Sequence, residues 1–266
     1  MITKHTQRWL KRQAAYVPVG TPIRTAEYEV APIDESPAKE FVIEHHYSRS
    51  YPASMRRFGL WRRDALVGVA VFSVPMNYAS LKPLPGDPKA STELGRLVLL
   101  DKVPANGESW FIARAFEALR TEGFTGVVSF SDPTARRKAD GTILFPGHVG
   151  TIYQALNAIY LGRATPRTLR LLPDGRVFSH RTEQKIRAGG WGSGYSEQQL
   201  VEYGATPLRP NEDPLVWLHR WIGRLTRPVR HPGNYKYVWA FDRSAQRVMP
   251  KSQPYPKWTP LFGAEA

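Results

Sequence analysis

Apolar positions recur along the chain with two periods. Ile23–Ala31 alternates as a strand does, and Arg57–Trp61 and Ala65–Val74 read as the two strands of a hairpin turning at Arg62–Asp64. Thr92–Leu100 and Gly126–Ser131 are apolar enough for buried strands, and Lys236–Phe241 reads as a last one. Helical spacing predicts Pro37–His45 with Ser36 as its cap. It also predicts Glu108–Glu122, where Trp110, Ala113, Arg114 and Glu117 share a face and Gly123 follows, and Pro214–Leu225, with Trp217 and Trp221 four apart. Shorter helices are expected from Thr151 towards Gly162 and over Glu183–Ala188 and Ser196–Tyr203, and the residues to about Pro22 read as a basic arm or a short helix around Trp9–Arg12. Leu169–Leu172 and Val177–Ser179 form a hairpin about Pro173-Asp174-Gly175. His46–Pro52, Pro75–Ala90, Arg136–Gly147, the glycine-rich Gly189–Gly194 and the proline-rich tail after Met249 are left as loops.

Strands and helices alternate from Val67 to Tyr160, which predicts an α/β (or α+β) layered fold with a central sheet flanked by helices. The order hairpin, long strand, helix, strand, helix is that of an N-acetyltransferase-like mixed sheet, one of several folds compatible with the pattern. A single domain over 1–266 is expected, with a basic arm at 1–22 and a basic extension at 163–266 packed on the core. There is no internal repeat.

Composition narrows the function. Hydrophobic residues make up 42% of the 266, enough for a sizeable core, and no apolar run is long enough to span a membrane. The start, Met1–Gln13, is basic without an apolar stretch behind it, unlike a secretory signal. With no cysteine, thiolate chemistry and disulfides are excluded, and an intracellular setting fits. The 37 Lys and Arg against 23 Asp and Glu, a net +14, point to a polyanion such as nucleic acid.

Four segments carry candidate chemistry. His45-His46-Tyr47-Ser48-Arg49 offers two imidazoles and a phenol in one loop, for a metal or for proton transfer. In Ser129-Phe130-Ser131-Asp132-Pro133, Asp132 follows an apolar strand, where ligand sites of α/β proteins gather; an ordinary Asp-Pro turn has the same pattern. In Glu93-Leu94-Gly95-Arg96-Leu97, the three-residue spacing of Glu93 and Arg96 puts them on opposite faces of an ideal strand. His148–Ala155 reads as a glycine loop opening into a helix that carries Tyr153.

HHYSR, ELGRLVLLDKVPANGESWFIARAF, VVSFSDP, GHVGTIYQALNAIYLG and, near the end, HPGNYKYVWAFDR together resemble the Mom DNA-modification proteins of bacteriophages, over about Phe41 to Phe241. The resemblance implies an N-acetyltransferase-like fold and conversion of adenine in DNA to N6-carbamoylmethyladenine, which protects phage DNA from host restriction. It implies iron, or another divalent metal, at His46, Tyr47 and Asp132, with His46 preferred over His45. It also implies functional roles for Arg96 and Tyr153, so that Tyr47, Arg96, Asp132 and Tyr153 form the catalytic set. Double-stranded DNA in the host cytoplasm is the implied partner, with no membrane; the oligomeric state, homodimer included, stays open. The adenine must leave the stack, and Tyr47, Tyr51 or Trp191 could stack on it. Two dense basic regions are candidate DNA contacts. Arg163, Arg167, Arg170, Arg176, Arg181, Lys185 and Arg187 make one, and Arg220, Arg224, Arg227 and Arg230 the other. Arg136, Arg137 and Lys138 in the insertion join them.

The junction after the long strand departs from the glycine-rich loop of CoA-dependent acetyltransferases. It reads Asp101–Ser109, with Glu108 where a pyrophosphate is expected, which speaks against acetyl-CoA and leaves the small-molecule donor open. A CoA-dependent acetyltransferase acting on a small amine or a hypermodified base, and a non-catalytic DNA-binding protein, are the competing readings.

Overall fold

A computed structural model describes residues 20–257, preceded by the backbone of two paired strands, β1 (His5–Leu10) and β2 (Gln13–Pro18). The expected short helix at Trp9–Arg12 is not formed: residues 9 and 10 belong to β1, and 11 and 12 lie outside the described residues. Then come β3 (Tyr28–Pro32), α1 (Glu35–His45), β4 (Ser54–Arg62), β5 (Ala65–Ser73), β6 (Ser91–Leu99), α2 (Gly107–Thr121) and β7 (Gly126–Ser131). A small ribbon follows, β8 (Arg136–Arg137) with β9 (Ile143–Phe145), then α3 (Thr151–Ala155), β10 (Ile159–Arg163), β11 (Arg167–Leu171), β12 (Val177–Phe178) and α4 (His180–Ala188). The chain ends with α5 (Ser193–Val201), α6 (Pro214–Leu225), β13 (Arg227–His231), β14 (Tyr235–Ala240) and α7 (Arg243–Val248).

The chain forms two compact units. The first takes residues 1–134, 145–164 and 233–266; the second takes 135–144 and 165–232. The first unit is built on a seven-stranded mixed sheet in the order β10-β14-β7-β6-β5-β4-β3, antiparallel except for β6 against β7. This is the α/β class expected. Its two faces are covered differently. Phe72, Leu94 and Val127 pack with Phe111, Ile112, Ala115 and Leu119 of α2, while Val69, Val71 and Val98 pack with Ala38, Phe41 and Val42 of α1. Burying each of these large side chains stabilises the unit by roughly 1.5–3 kcal/mol.

Three elements depart from the pattern. Thr151 does not start a helix reaching Gly162: Asn157 adopts φ 55°, a left-handed conformation that stops the turn, and the next residues become β10, paired with β14. The strand expected from Ile23 begins only at Tyr28, after a single 3-10 turn at Thr25–Glu27. Helix α1 begins at Glu35, so Asp34, not Ser36, sits at its N-cap.

The second unit holds a three-stranded antiparallel sheet, β12-β11-β13, with α4, α5 and α6. Pro228 has no N–H to give a ladder, and β13 carries it as an edge strand paired only with β11. Trp217, Leu218 and Ile222 of α6 meet Ile186 of α4 and Leu200 of α5 in a separate core. Among the described residues, no helix is long and apolar enough to cross a membrane.

Candidate active site

The centre of the first unit's sheet is where two parallel strands part. β6 and β7 pair only from Ser91↔Gly126 to Leu94↔Ser129. The cause is a bulge in β6. Val71 faces Arg96 and Phe72 faces Leu94, so Gly95 is the extra residue. A Cβ at Gly95 would lie 2.5 Å from Ser73 Oγ, which is why glycine stands there.

The bulge overturns one expectation. Glu93 lies opposite Ser73, and Arg96 opposite Val71. Ser73 and Val71 are two apart and share a face, so Glu93 and Arg96 share it too, despite their spacing of three. Burial raises the Glu93 carboxyl above its usual value, opposed by the Arg96 guanidinium and by a hydrogen bond from the Met76 backbone N–H.

Arg96 ties the neighbouring loop to the bulge. Its Nε donates to the Ser50 carbonyl (3.0 Å), Nη2 to Ser50 Oγ (2.8 Å) and Nη1 to the Gly95 carbonyl (2.6 Å). Ser50 Oγ donates to Ser48 Oγ (3.1 Å), which is hydrogen-bonded to His46 Nδ1 (2.8 Å). The Ser48 backbone N–H also donates to that Nδ1 (3.1 Å). The guanidinium therefore fixes His46 through two serines, neither of which the sequence reading assigned; their i, i+2 and i, i+4 spacing from the histidine is the only signal for them.

A second connection runs through rings. His46 and Tyr47 have centroids 4.3 Å apart, and Tyr47 stacks on Phe145 at 4.4 Å and 13°. Phe145 meets His148 edge-on at 5.8 Å, and His148 meets Tyr153 at 6.3 Å. Asp132, just past the end of β7 and only 7% exposed, accepts the Thr134 backbone N–H on Oδ1 (2.9 Å), while its carbonyl accepts the His148 N–H (2.8 Å). His46, Tyr47, Arg96, Asp132 and Tyr153 thus come together in one region from four separate segments.

Tyr153 sits in the first turn of α3, directly after Gly150. That glycine has φ 73°, and a Cβ there would be 2.8 Å from the Tyr237 ring and 2.9 Å from the Tyr153 ring. Desolvation by burial pushes the Tyr153 hydroxyl up to about 12, with a hydrogen bond to Ser129 acting the other way. Ser129 Oγ, which meets the Tyr153 hydroxyl, donates to the Leu94 carbonyl at the strand fork (3.0 Å). Tyr153 is a neutral phenol at physiological pH, a proton donor held in place. Tyr237, whose hydroxyl donates to the Val149 carbonyl, is likewise raised by burial.

Glu108 is buried in the first turn of α2, beside a left-handed Asn106. Tyr51 packs against the α1 core, and Trp191 is exposed. Of the basic residues, Arg136 is buried, Arg163 donates to Tyr235 Oη (2.9 Å), and Arg176 is paired with Asp174 and Glu202. Arg220 is paired with Glu212, and Arg170 and Arg187 flank Glu183. Among the described residues, no group of three or more His, Cys, Asp or Glu is placed to hold a metal.

Together these features define a mixed α/β protein whose seven-stranded sheet has one parallel pair at its centre. Its candidate site lies at the fork of the two parallel strands. The family model of the Mom protein family matches residues 27–257, and the chain belongs to that family. It is 27% identical over 230 residues to the methylcarbamoylase mom of Escherichia phage Mu, covering 83% of this chain and 80% of that protein. Among solved structures, a Bacillus subtilis acetyltransferase in complex with CoA aligns over 80% of this chain and 99% of its own, at 8% identity and a TM-score of 0.35. The ribosomal-protein-S18-alanine N-acetyltransferase of Escherichia coli aligns over 56% and 88%, at 12% identity and a TM-score of 0.35.

Proposed function

We propose that this chain is a phage transferase that converts adenine in duplex DNA to N6-carbamoylmethyladenine in the host cytoplasm, shielding phage DNA from restriction. One observation carries the reading: in a chain of the Mom family, four of the residues singled out by motif are linked through the Arg96–Ser50–Ser48–His46 relay and the Tyr47–Phe145–His148–Tyr153 ring contacts, and the fifth, Asp132, is tied to them by the His148 N–H at its carbonyl.

The reaction forms a bond from adenine N6 to the methylene carbon of the donor; a donor leaving group departs and one N6 proton is lost. Tyr153, kept protonated, donates a hydrogen bond that orients the donor. Asp132 offers a carboxylate at the end of β7. Arg96 is a positioning residue, since two of its hydrogen bonds hold Ser50 of the His46–Tyr47 loop and the third anchors it to Gly95 of the bulge. Glu108 puts negative charge in the first turn of α2, which supports a donor without a pyrophosphate at that helix end.

The iron implied by resemblance belongs to the same reading. His46, Tyr47 and Asp132 supply one imidazole, one phenol and one carboxylate, a donor set that fits a hard or borderline ion. Among the described residues no three His, Cys, Asp or Glu are grouped to hold a metal, so in this reading the Tyr47 phenol serves as the third donor. Bound there, the ion would act as a Lewis acid. Purified His46→Ala and Asp132→Ala proteins are each expected to lose bound iron by elemental analysis; unchanged content in both would remove these ligands from the reading.

The deciding experiment is nucleoside mass spectrometry of plasmid DNA from cells expressing the chain. An adenosine species heavier by a carbamoylmethyl group is expected, and it should vanish with Asp132→Ala. Unmodified DNA in the presence of folded protein would overturn the reading.

A further inference from the structure

The two nine-residue helices α4 and α5 are joined by a four-residue turn, Gly189-Gly190-Trp191-Gly192. Gly189 (φ 59°) ends α4 and Gly192 (φ 82°) caps α5, both in the left-handed conformation that glycine adopts without strain. The corner turns Ile186 and Leu200 into the second unit's core and leaves Trp191 at its tip, 97% exposed. A tryptophan exposed to that extent contributes nothing to the fold and leaves a large apolar ring in water.

We infer that Trp191 is a wedge that inserts between the bases of duplex DNA, with the α4–α5 corner as the surface that carries it; this rests on the proposed activity on DNA adenine. Three observations set the occupant. The first is charge. The second unit holds fourteen Lys and Arg against seven Asp and Glu, half of the chain's whole excess. At the corner itself, Lys185 Nζ lies 3.2 Å from where a Cβ on Gly192 would be, and Arg181 and Arg187 are exposed on α4. The second is the neighbouring ring. Tyr195, one turn into α5, is exposed too, so two aromatics of low conformational freedom stand on a cationic surface. The third is chemical need. Adenine N6 lies within the base stack, and an enzyme that reacts there must extrude the base; an apolar side chain driven into the step lowers the cost of unstacking. The glycines let the turn approach the sugar–phosphate backbone, since Gly189 and Gly190 have no neighbouring atom within 4 Å of a Cβ position.

The test uses the full chain and a short mixed-sequence duplex, intact or with one abasic site, in fluorescence anisotropy titrations at several salt concentrations. Trp191→Ala should bind the intact duplex about tenfold more weakly with an unchanged salt dependence, because stacking is lost and no charge is. Trp191→Phe should recover most of the affinity. The native chain should prefer the abasic duplex, where the step is already open, and Trp191→Ala should lose that preference. Lys185→Ala should instead lower the salt slope by about one. Native affinity and abasic preference in Trp191→Ala would overturn the wedge while leaving the DNA reading intact. So would a dimer, seen by sedimentation, that only the native chain forms, since the indole would then contact a second copy. Failure of the native chain to bind any duplex at low salt would overturn the DNA reading itself, and the wedge with it.

Discussion

Tyr153 shows how one hydroxyl is given its role by surroundings. Its ring is boxed by Tyr237, Trp239 and His148, its oxygen meets Ser129, and Ser129 passes the hydrogen bond on to the Leu94 carbonyl. Tyr153→Phe removes the donor and leaves the packing in place. Modified adenine, counted by nucleoside mass spectrometry, should fall by at least about a hundredfold, the lower range for loss of a positioned proton donor. Thermal stability should change by no more than about 1.5 kcal/mol, the net worth of one hydrogen bond. The same tyrosine sets an alkaline limit. Burial lifts its hydroxyl from 10 to about 12, so above pH 10 the unfolded chain loses this proton while the folded chain keeps it. Stability from this group is complete below pH 10 and is lost as pH rises towards 12. Tyr153→Phe should therefore flatten the fall in stability between pH 10 and 12, in urea titrations followed by circular dichroism. An equal fall in both proteins would mean that the hydroxyl is not buried.

At the scale of elements, the bulge of β6 decides which residues reach the site. Gly95→Ala sets a methyl 2.5 Å from Ser73 Oγ, and relief requires either the serine to turn or the strand to move. The expected cost is about 1–3 kcal/mol, the range for overpacking. Adding Ser73→Ala removes the clashing oxygen and should restore most of it in urea unfolding; a double variant no more stable than Gly95→Ala would show that the bulge does not depend on this contact. Little of this was legible in the sequence. A period-two reading placed Glu93 and Arg96 on opposite faces, because a single inserted residue inverts the alternation without altering composition. Elements bounded by glycine or proline were legible to the residue: Gly126–Ser131 and Pro214–Leu225 form as expected. β10 was not, since a short apolar run reads equally as helix and the stop is the left-handed Asn157. β13 was hidden by Pro228, and α7 by its brevity. Motif resemblance picked out His46, Tyr47, Arg96, Asp132 and Tyr153. It did not assign the parts that link them, Ser48, Ser50, Phe145 and Ser129: the two serines show only their i, i+2 and i, i+4 spacing from His46, and a lone hydroxyl or aromatic elsewhere carries no such signature.

For the whole molecule, the question is how much of a +14 charge a phosphate backbone can use. Several cations are already engaged: Arg176 with Asp174 and Glu202, Arg220 with Glu212, and Arg163 against the Tyr235 ring at 4.9 Å. The number of phosphates contacted must therefore be well below 37. A protein with 6–10 such contacts loses roughly a thousandfold to a hundred-thousandfold in duplex affinity between 50 and 200 mM salt. The chain should fall in or just below that range. Replacing Arg137 and Lys138 together by Ala should reduce the log–log slope by about two, if each faces one phosphate. Asp132→Ala should leave the slope unchanged, since it alters the chemistry and no cation. A double variant with the native slope would place residues 137 and 138 away from the duplex and leave the phosphate contacts to the chain's other cations. A slope near zero for the native chain would mean that its charge excess serves some partner other than DNA.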